Sequence, residues 1–287
     1  MEHFNFDIAI VGGGHAGFEA AYCASQFKSL SIAIITMPEV GIASAPCNPA
    51  VGGVGKGQVV REIDHLGGIM GKLADLAGIQ FRTLNESKGY AVHSTRVQID
   101  KELYSNNAEK IADSIENLTV IRSKVIKTIK TEESFEVKTE DCLVKAKKVI
   151  FTVGTFLNGK LHYGLESKEG GRHETRKAEG LDSIFNSISV NPKRFKTGTP
   201  PRLNVDTIKF SEMEVQPSDP NVESMHVLHG TFERFVEQKN CYLTYTNVES
   251  MTVIRENKDK SPMFNGNIKA TGARYCPSIE DKAYRYP

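Results

Sequence analysis

The sequence predicts an α/β protein, and three observations carry that expectation. An apolar, strand-like run at Phe6–Val11 enters the glycine-rich turn Gly12-Gly13-Gly14-His15-Ala16-Gly17. A helical stretch from Gly17 to about Lys28 follows, and then a second apolar run from Leu30 to Thr36. Of the 24 glycines, 14 fall within the first 90 residues, a density that suits backbone held close to a ligand.

Strand, glycine turn, helix and strand, in that order, supply the context that a bare G-x-G-x-x-G lacks. Gly12 allows the tight turn, Gly14 the approach of a pyrophosphate and Gly17 close helix–strand packing, with the phosphates on the amides of the helix N-terminus. This is a Rossmann-type unit, and a dinucleotide is its expected ligand. One customary part is missing. The second strand ends Ile34-Ile35-Thr36-Met37 without a ribose-binding acid, and Glu39 is the nearest carboxylate.

Further along, Val59, Val60, Ile63 and Leu66 have helical spacing, and Gly67-Gly68 supplies a stop. A helix is expected over 97–116, with Leu103, Tyr104, Ala108, Ile111, Ala112 and Ile115 on its apolar side. Short β-like runs follow at 118–122, 125–129, 134–138 and 148–153. From about residue 190, Pro192, Pro200, Pro201, Pro217 and Pro220 break the chain into loops and short elements. The boundary is placed near 195, giving domains 1–195 and 196–287. A 287-residue chain agrees with that, at about 150 residues per domain.

Composition narrows the class. Hydrophobic residues make up 39% and charged residues 25%, which excludes a collagen, a disordered tail and a disulfide miniprotein. No apolar run approaches the ~18 residues of a membrane span. No basic region precedes the first strand, so no signal peptide is expected and a cytoplasmic location is. With 36 basic and 35 acidic residues, no general electrostatic grip on nucleic acid is visible. Residues 160–210 do hold ten Lys/Arg against six Asp/Glu, which suits either a solvated face or a polyanion contact. The five cysteines, Cys23, Cys47, Cys142, Cys241 and Cys276, are odd in number and contain no C-x-x-C, so neither a disulfide framework nor a zinc site is expected. His15, His65, His93, His162 and His173 show no metal spacing, and no metal is expected.

Two more constellations bear on chemistry. Cys47-Asn48-Pro49-Ala50-Val51-Gly52-Gly53-Val54-Gly55-Lys56-Gly57 resembles a P-loop but fails on spacing, since Ala50 stands where the first glycine belongs and Gly57 where Ser or Thr would hold magnesium. A glycine-rich loop beside a ring system fits it better, with Lys56 either a surface lysine or a partner for an anionic group. In Gly272-Ala273-Arg274-Tyr275-Cys276-Pro277-Ser278-Ile279-Glu280-Asp281-Lys282, Pro277 at a first helical position would put Cys276 at the N-cap. A thiol there feels the helix dipole, opposed by Glu280 and Asp281. Taken alone, each cysteine is more readily structural. Lys196-Thr197-Gly198-Thr199-Pro200-Pro201-Arg202 reads as a stiff loop with two basic residues, and Tyr242–Asn247 as a strand ending in hydrogen-bonding groups.

Together these motifs resemble the MnmG (GidA) family. The likeness runs collinearly through GGGHAG, CNPAVGGVGKG, AGIQFRTLNESKG, VGTFLNGK, KTGTPPR, SPMF and GARYCPSIEDK. CNPA, KTGTPPR and RYCPSIED are its most specific parts. The resemblance implies an FAD- and NADH-dependent enzyme that adds a carboxymethylaminomethyl or aminomethyl group to C5 of the wobble uridine of tRNA. It acts with the GTPase MnmE, using methylene-tetrahydrofolate as one-carbon donor. A homodimer is implied for the full-length family. For this chain the resemblance implies FAD contacts at Gly12, Gly13, Gly14, His15, Ala16, Gly17 and Val125. It implies NAD contacts at Gly272, Ala273, Arg274, Tyr275, Cys276, Pro277, Ser278, Ile279, Glu280, Asp281, Lys282, Ala283, Tyr284, Arg285 and Tyr286. Cys47 and Cys276 fall on the family's two catalytic cysteines, while Cys23, Cys142 and Cys241 stay structural. Uracil C5 becomes nucleophilic once a group adds at C6, and a thiolate is suited to that addition.

The fold implied is a Rossmann-type FAD-binding domain with an inserted second α/β segment. The resemblance implies that the 287 residues end before the returning part of that domain and before the family's helical C-terminal region. His173-Glu174-Thr175-Arg176-Lys177 also departs from the small, proline-containing stretch expected there, so a family FAD contact at that loop is not carried over. Two function classes follow: the N-terminal portion of an active enzyme, or a non-catalytic nucleotide-binding fragment or subunit. The folate- and FAD-dependent tRNA methyltransferase TrmFO is the related enzyme alternative, disfavoured by CNPA and RYCPS.

Overall fold

The computed structural model of this chain describes residues 2–229, 233–268, 270–272 and 278–285. Strand β1 (Glu2–Val11) leads through the glycine turn into helix α1 (His15–Ser25), and strand β2 (Ile32–Thr36) follows. The next elements are β3 (Ala50–Gly52), α2 (Lys56–His65), α3 (Met70–Ala77), β4 (Gly78–Leu84) and β5 (Ser94–Ile99). After α4 (Lys101–Asp113) come β6 (Leu118–Arg122), β7 (Val125–Lys130), β8 (Phe135–Thr139) and β9 (Cys142–Phe151). The remainder is built of shorter pieces: β10 (Lys160–Tyr163), β11 (Glu166–Glu169), α5 (Asp182–Ser187), β12 (Phe195–Lys196), β13 (Glu214–Gln216), β14 (Cys241–Leu243), α6 (Val248–Glu256), β15 (Thr271–Gly272) and α7 (Ile279–Arg285).

The main sheet has the order β6-β2-β1-β9-β8-β7. Its first four strands are parallel, and β7, β8 and β9 form an antiparallel meander. Val11 pairs with Ile35 and Phe151, and Ile35 with Ile121, so four carboxyl ends finish at one level. In open sheets of this kind ligands sit beyond those ends. The apolar runs of β1 and β2 are continuous because both faces are covered. Ile10, Ile32 and Ile34 pack with Phe18 and Ala21 of α1 and with Leu73, Tyr104 and Ala108. Ala9, Val11 and Ile35 pack instead with Val125, Val137 and Val144 of the meander.

A three-stranded antiparallel sheet, β3-β5-β4, stands beside this unit. Its β4 edge is covered by the segment around 217–239: Asp219 N–H donates to Phe81 O at 2.8 Å and Lys239 N–H to Ile79 O at 2.7 Å. Covering an edge in this way removes a template for unwanted strand pairing. Among the described residues no helix is long and apolar enough to cross a membrane.

The helix expected over 97–116 is corrected. Val97 and Ile99 belong to β5, and the helix begins at Lys101 with Asp100 as N-cap, its carboxylate accepting from the amides of Glu102 and Leu103 at 3.0 Å each. The apolar spacing continued across two elements, so periodicity merged them. The helix expected around Val59–Leu66 is α2, but its four apolar residues do not share a buried face: Val60 is buried whereas Val59 and Leu66 are exposed. Helix α3 and strand β4 lie in a stretch for which the sequence reading names no element, and β5 begins in it and runs into the stretch read as helix.

Candidate functional site

The glycine turn joins β1 to α1 where the parallel strands end. Gly12 has φ 116°, and a Cβ on it would come within 2.6 Å of Thr152 O. On Gly17 a Cβ would lie 1.8 Å from Gly12 O, so helix and turn touch directly. Around Gly14 a Cβ would meet nothing within 4 Å, which leaves the surface above that residue open. Phe18 N–H is the first helical amide to reach a carbonyl, Gly14 O at 2.9 Å, so the amides of the preceding turn point past the helix end. No acidic side chain stands in the first turn. An anionic pyrophosphate fits this cradle: open backbone, free amide direction and the positive end of an eleven-residue helix. His15 packs 5.5 Å from the Tyr104 ring, and burial lowers its pKa, favouring the neutral imidazole. Ala16 is exposed at the helix start.

Thr152, just beyond β9, braces the turn. Its amide donates to Val11 O at 2.8 Å and its hydroxyl lies 3.0 Å from Gly12 O. Sequence reasoning missed this residue, because its role depends on a partner 140 residues away.

The other rim is charged. Glu39, at the tip of a turn closed by Val40 N–H to Met37 O, sits just beyond β2. Arg176 grips it with Nε to Oε1 at 3.0 Å and Nη2 to Oε2 at 3.2 Å, and reaches Glu140 with Nη1 at 2.8 Å. The guanidinium holds the Glu39 carboxyl at about 2. Lys124 pairs with Glu179 on the same rim. Val125 opens β7 in register with Thr139, its side chain buried against the ends of β1 and β2. Arg172 Nη1 donates to Ser44 Oγ at 3.3 Å, so the 171–177 loop spans from Glu140 to the chain that continues toward Cys47.

Ala43 N–H donates to Gly13 O at 2.8 Å, and four residue steps later comes Cys47, at most about 14 Å away. The Cys47 thiol is half-buried and donates to Gly198 O at 3.7 Å, while Arg202 Nη2 donates to Cys47 O at 3.1 Å. The 196–202 loop therefore wraps the cysteine. Upstream, Lys196 pairs with Gly272 in the parallel β12–β15 contact, and Lys196 Nζ lies 4.0 Å from Asp281 Oδ2. Three segments distant in sequence thus converge: Cys47, 195–202 and the two flanks of 273–277.

Ala273, Arg274, Tyr275, Cys276 and Pro277, as well as Tyr286, lie outside the described residues. One expectation beside them is corrected. The last helix starts at Ile279, and Ser278 does the capping, its Oγ accepting from Asp281 N–H at 3.1 Å. Ala283 is fully buried, and its carbonyl accepts from Arg255 of α6; Tyr284 Oη donates to Arg255 O at 2.9 Å. Ile279 is exposed, and Lys282 N–H donates to Ser278 O.

Gly52 and Gly57 after Cys47 have a packing reason. A Cβ on Gly52 would approach Thr95 O at 2.2 Å, and one on Gly57 Ser94 Oγ at 2.4 Å, so this loop lies flat on β5. Lys56 is exposed at the start of α2. Of the other described cysteines, Cys142 is buried beside Thr139 and Cys241 donates to Gln80 Oε1 at 3.1 Å, where burial pushes its thiol up. Cys23 is exposed, its thiol also raised by partial burial. Among the described residues no group of three or more His, Cys, Asp or Glu is placed to hold a metal ion.

Two comparisons bear on this arrangement. The family model described as glucose inhibited division protein A matches residues 7–287. Two crystal forms of GidA from Aquifex aeolicus share 40% identity over 99% of this chain, with TM-scores of 0.85 for form II and 0.87 for form I. The chain covers 46% and 48% of those two chains, so it spans just under half their length.

Proposed function

The chain belongs to the glucose inhibited division protein A (GidA) family, and from that premise we propose that it is the FAD-binding, chemistry-bearing part of a tRNA-modifying enzyme. The reaction proposed is addition of a carboxymethylaminomethyl or aminomethyl group at C5 of the wobble uridine, in the cytoplasm, with the GTPase MnmE as partner and a homodimer as the full-length assembly. One observation carries this reading: the loop with Cys47, the 196–202 loop and both flanks of the Cys276 segment meet within reach of the glycine turn.

FAD reduced by NADH supplies the redox equivalents when bound, and methylene-tetrahydrofolate supplies the carbon. The residues of this chain do the rest. The amides at His15–Gly17 hold the pyrophosphate, Gly14 lets it approach, and the Val125 backbone meets the adenine end. Gly272 to Tyr286 form the NAD side. Cys276 acts at the uridine as nucleophile or acid–base group, and Cys47 works on the flavin side. Arg202 and Gly198 fix the position of Cys47 through its carbonyl oxygen and its thiol. The division into residues 1–195 and 196–287 belongs to the same proposal.

The test is the visible spectrum of the purified protein with FAD and then NADH, followed by mass analysis of tRNA nucleosides. A stoichiometric flavin spectrum bleached by NADH, and a C5-aminomethyl-type uridine in the product, are expected. A protein that takes up no flavin overturns the reading. A C5-methyl uridine would assign it to methyl transfer of the TrmFO kind instead.

A further inference from the structure

Arg176 belongs to the loop that departs from the family pattern, and it makes the densest set of polar contacts at the mouth of the glycine turn. Its backbone N–H and Nε both donate to Glu39 Oε1, at 3.2 and 3.0 Å, and its Nη2 donates to Oε2 at 3.2 Å. Its Nη1 spans both oxygens of Glu140, at 2.8 and 2.9 Å. One guanidinium therefore ties the turn after β2 to the turn between β8 and β9.

Glu39 stands where the Rossmann scheme needs an acid. It follows the second strand of the β1–α1–β2 unit, 22 residues beyond Gly17, and that strand is the immediate neighbour of β1 in the order β6-β2-β1-β9. Thr36, at the end of β2, lies directly against Gly13, where a Cβ would come within 2.7 Å of its side chain. A dinucleotide laid on the Gly13–Gly14 backbone therefore runs past the end of β2 toward Glu39. A carboxylate has about four lone-pair positions. Arg176 uses two on Oε1 and one on Oε2, which leaves Oε2 able to accept from a ribose hydroxyl.

Charge decides which way Arg176 acts. Glu39 and Glu140 without it would be two carboxylates beside a ligand that carries a pyrophosphate. With it, one of the two charges is cancelled, and Glu39 is held ionised and in one orientation.

We propose that Arg176 is a positioning residue for dinucleotide binding, setting Glu39 to accept from the adenosine ribose and offsetting the repulsion between Glu140 and the pyrophosphate. This rests on the FAD-binding reading above. It gives the His173–Lys177 stretch a role in the recognition of the adenosine half.

The experiment is titration of the full-length protein, flavin removed, with FAD, with FAD lacking the adenosine 2′-hydroxyl, and with FMN, followed by flavin fluorescence. Wild type should prefer FAD over the deoxy analogue. Arg176→Ala should weaken FAD by at least about tenfold, the worth of a charge-assisted hydrogen bond, and shrink that preference while leaving FMN within about twofold. Glu39→Gln should shrink the 2′-hydroxyl preference in the same way, and adding Arg176→Ala to it should shrink that preference no further while weakening FAD through the uncovered Glu140. Arg176→Lys keeps the charge without the fork and should fall between, which covers the case in which the alanine variant does not fold. FAD binding by Arg176→Ala equal to or tighter than wild type, with the 2′-hydroxyl preference intact, overturns the proposal and leaves the FAD-binding reading standing. Wild type that binds no FAD overturns both.

Discussion

Arg202 and Cys47 are separated by 155 residues, yet Arg202 Nη2 donates to the Cys47 carbonyl oxygen at 3.1 Å. The Cys47 thiol meanwhile points to Gly198 O at 3.7 Å, four residues earlier on the same loop. The cysteine is held by both its backbone and its side chain, and by one partner loop.

Removing that hold should separate binding from chemistry. Arg202→Ala in the full-length protein should leave FAD affinity within about threefold, because Arg202 contacts the Cys47 loop and not the glycine turn. It should cut uridine modification by roughly tenfold to a hundredfold, the scale set by misplacing a reacting group. Alkylation of Cys47 by iodoacetamide, read by peptide mass spectrometry, should become faster. Unchanged alkylation and unchanged modification would show that the contact does not order the thiol.

Gly14 and Gly17 should respond differently to the same added methyl. Gly17→Ala puts a Cβ 1.8 Å from Gly12 O and must force helix and turn apart, lowering stability by about 2 kcal/mol or more. Gly14→Ala meets nothing within 4 Å, so its thermal unfolding should match wild type. Its FAD affinity should nonetheless fall, because the methyl occupies the approach of the pyrophosphate. Melting curves and flavin titration together check the pair.

Asp75 should prove a structural anchor. Its fully buried carboxylate accepts from the amides of Met225 and His226, at 2.8 and 2.9 Å, and from His229 Nδ1 at 2.8 Å. Asp64 does the same for His226 Nδ1 and Val227 N–H. Asp75→Ala strands these donors and should cost about 3 kcal/mol, with new proteolytic cleavage within 220–229 as the local sign.

Acid stability should carry the mark of Arg176. Glu39 has its carboxyl lowered from 4.5 to about 2 by the guanidinium, so its pairing stabilises the fold above pH 4.5 and that contribution is lost as pH falls through about 2. Between those values the wild-type urea midpoint should drop more steeply than that of Arg176→Ala. Parallel curves would mean that the pair adds nothing to stability.

These particulars show what a sequence can carry here. The glycine turn was legible because an added Cβ would fall within 3 Å of backbone, as one on Gly17 would of Gly12 O, so such positions admit one residue type only. The parallel strands were legible because burial on both faces writes an unbroken apolar run, as in Ile32–Ile35. The 97–116 stretch misled because Val97 and Ile99 fit a helical stripe as well as a strand. Asp100, the cap that divides the two elements, was the overlooked signal. Thr152 and Arg176 were not legible. Each acts through partners more than 130 residues away, Gly12 and Glu39, and nothing in the local pattern marks that meeting. The stretches 217–227 and 238–240 were opaque for the same reason, with the amides of Asp219 and Lys239 held by β4 and those of Met225 and Val227 by Asp75 and Asp64.

The role proposed for Cys47 is that of a reacting thiol beside bound FAD. Its most direct test is the full-length protein carrying Cys47→Ser, purified with its flavin and supplied with tRNA, NADH, the one-carbon donor and the GTPase partner, with the uridines then analysed by mass spectrometry. A normal flavin spectrum and loss of the C5 modification are expected. A Cys47→Ser enzyme that modifies tRNA at the wild-type rate would contradict it.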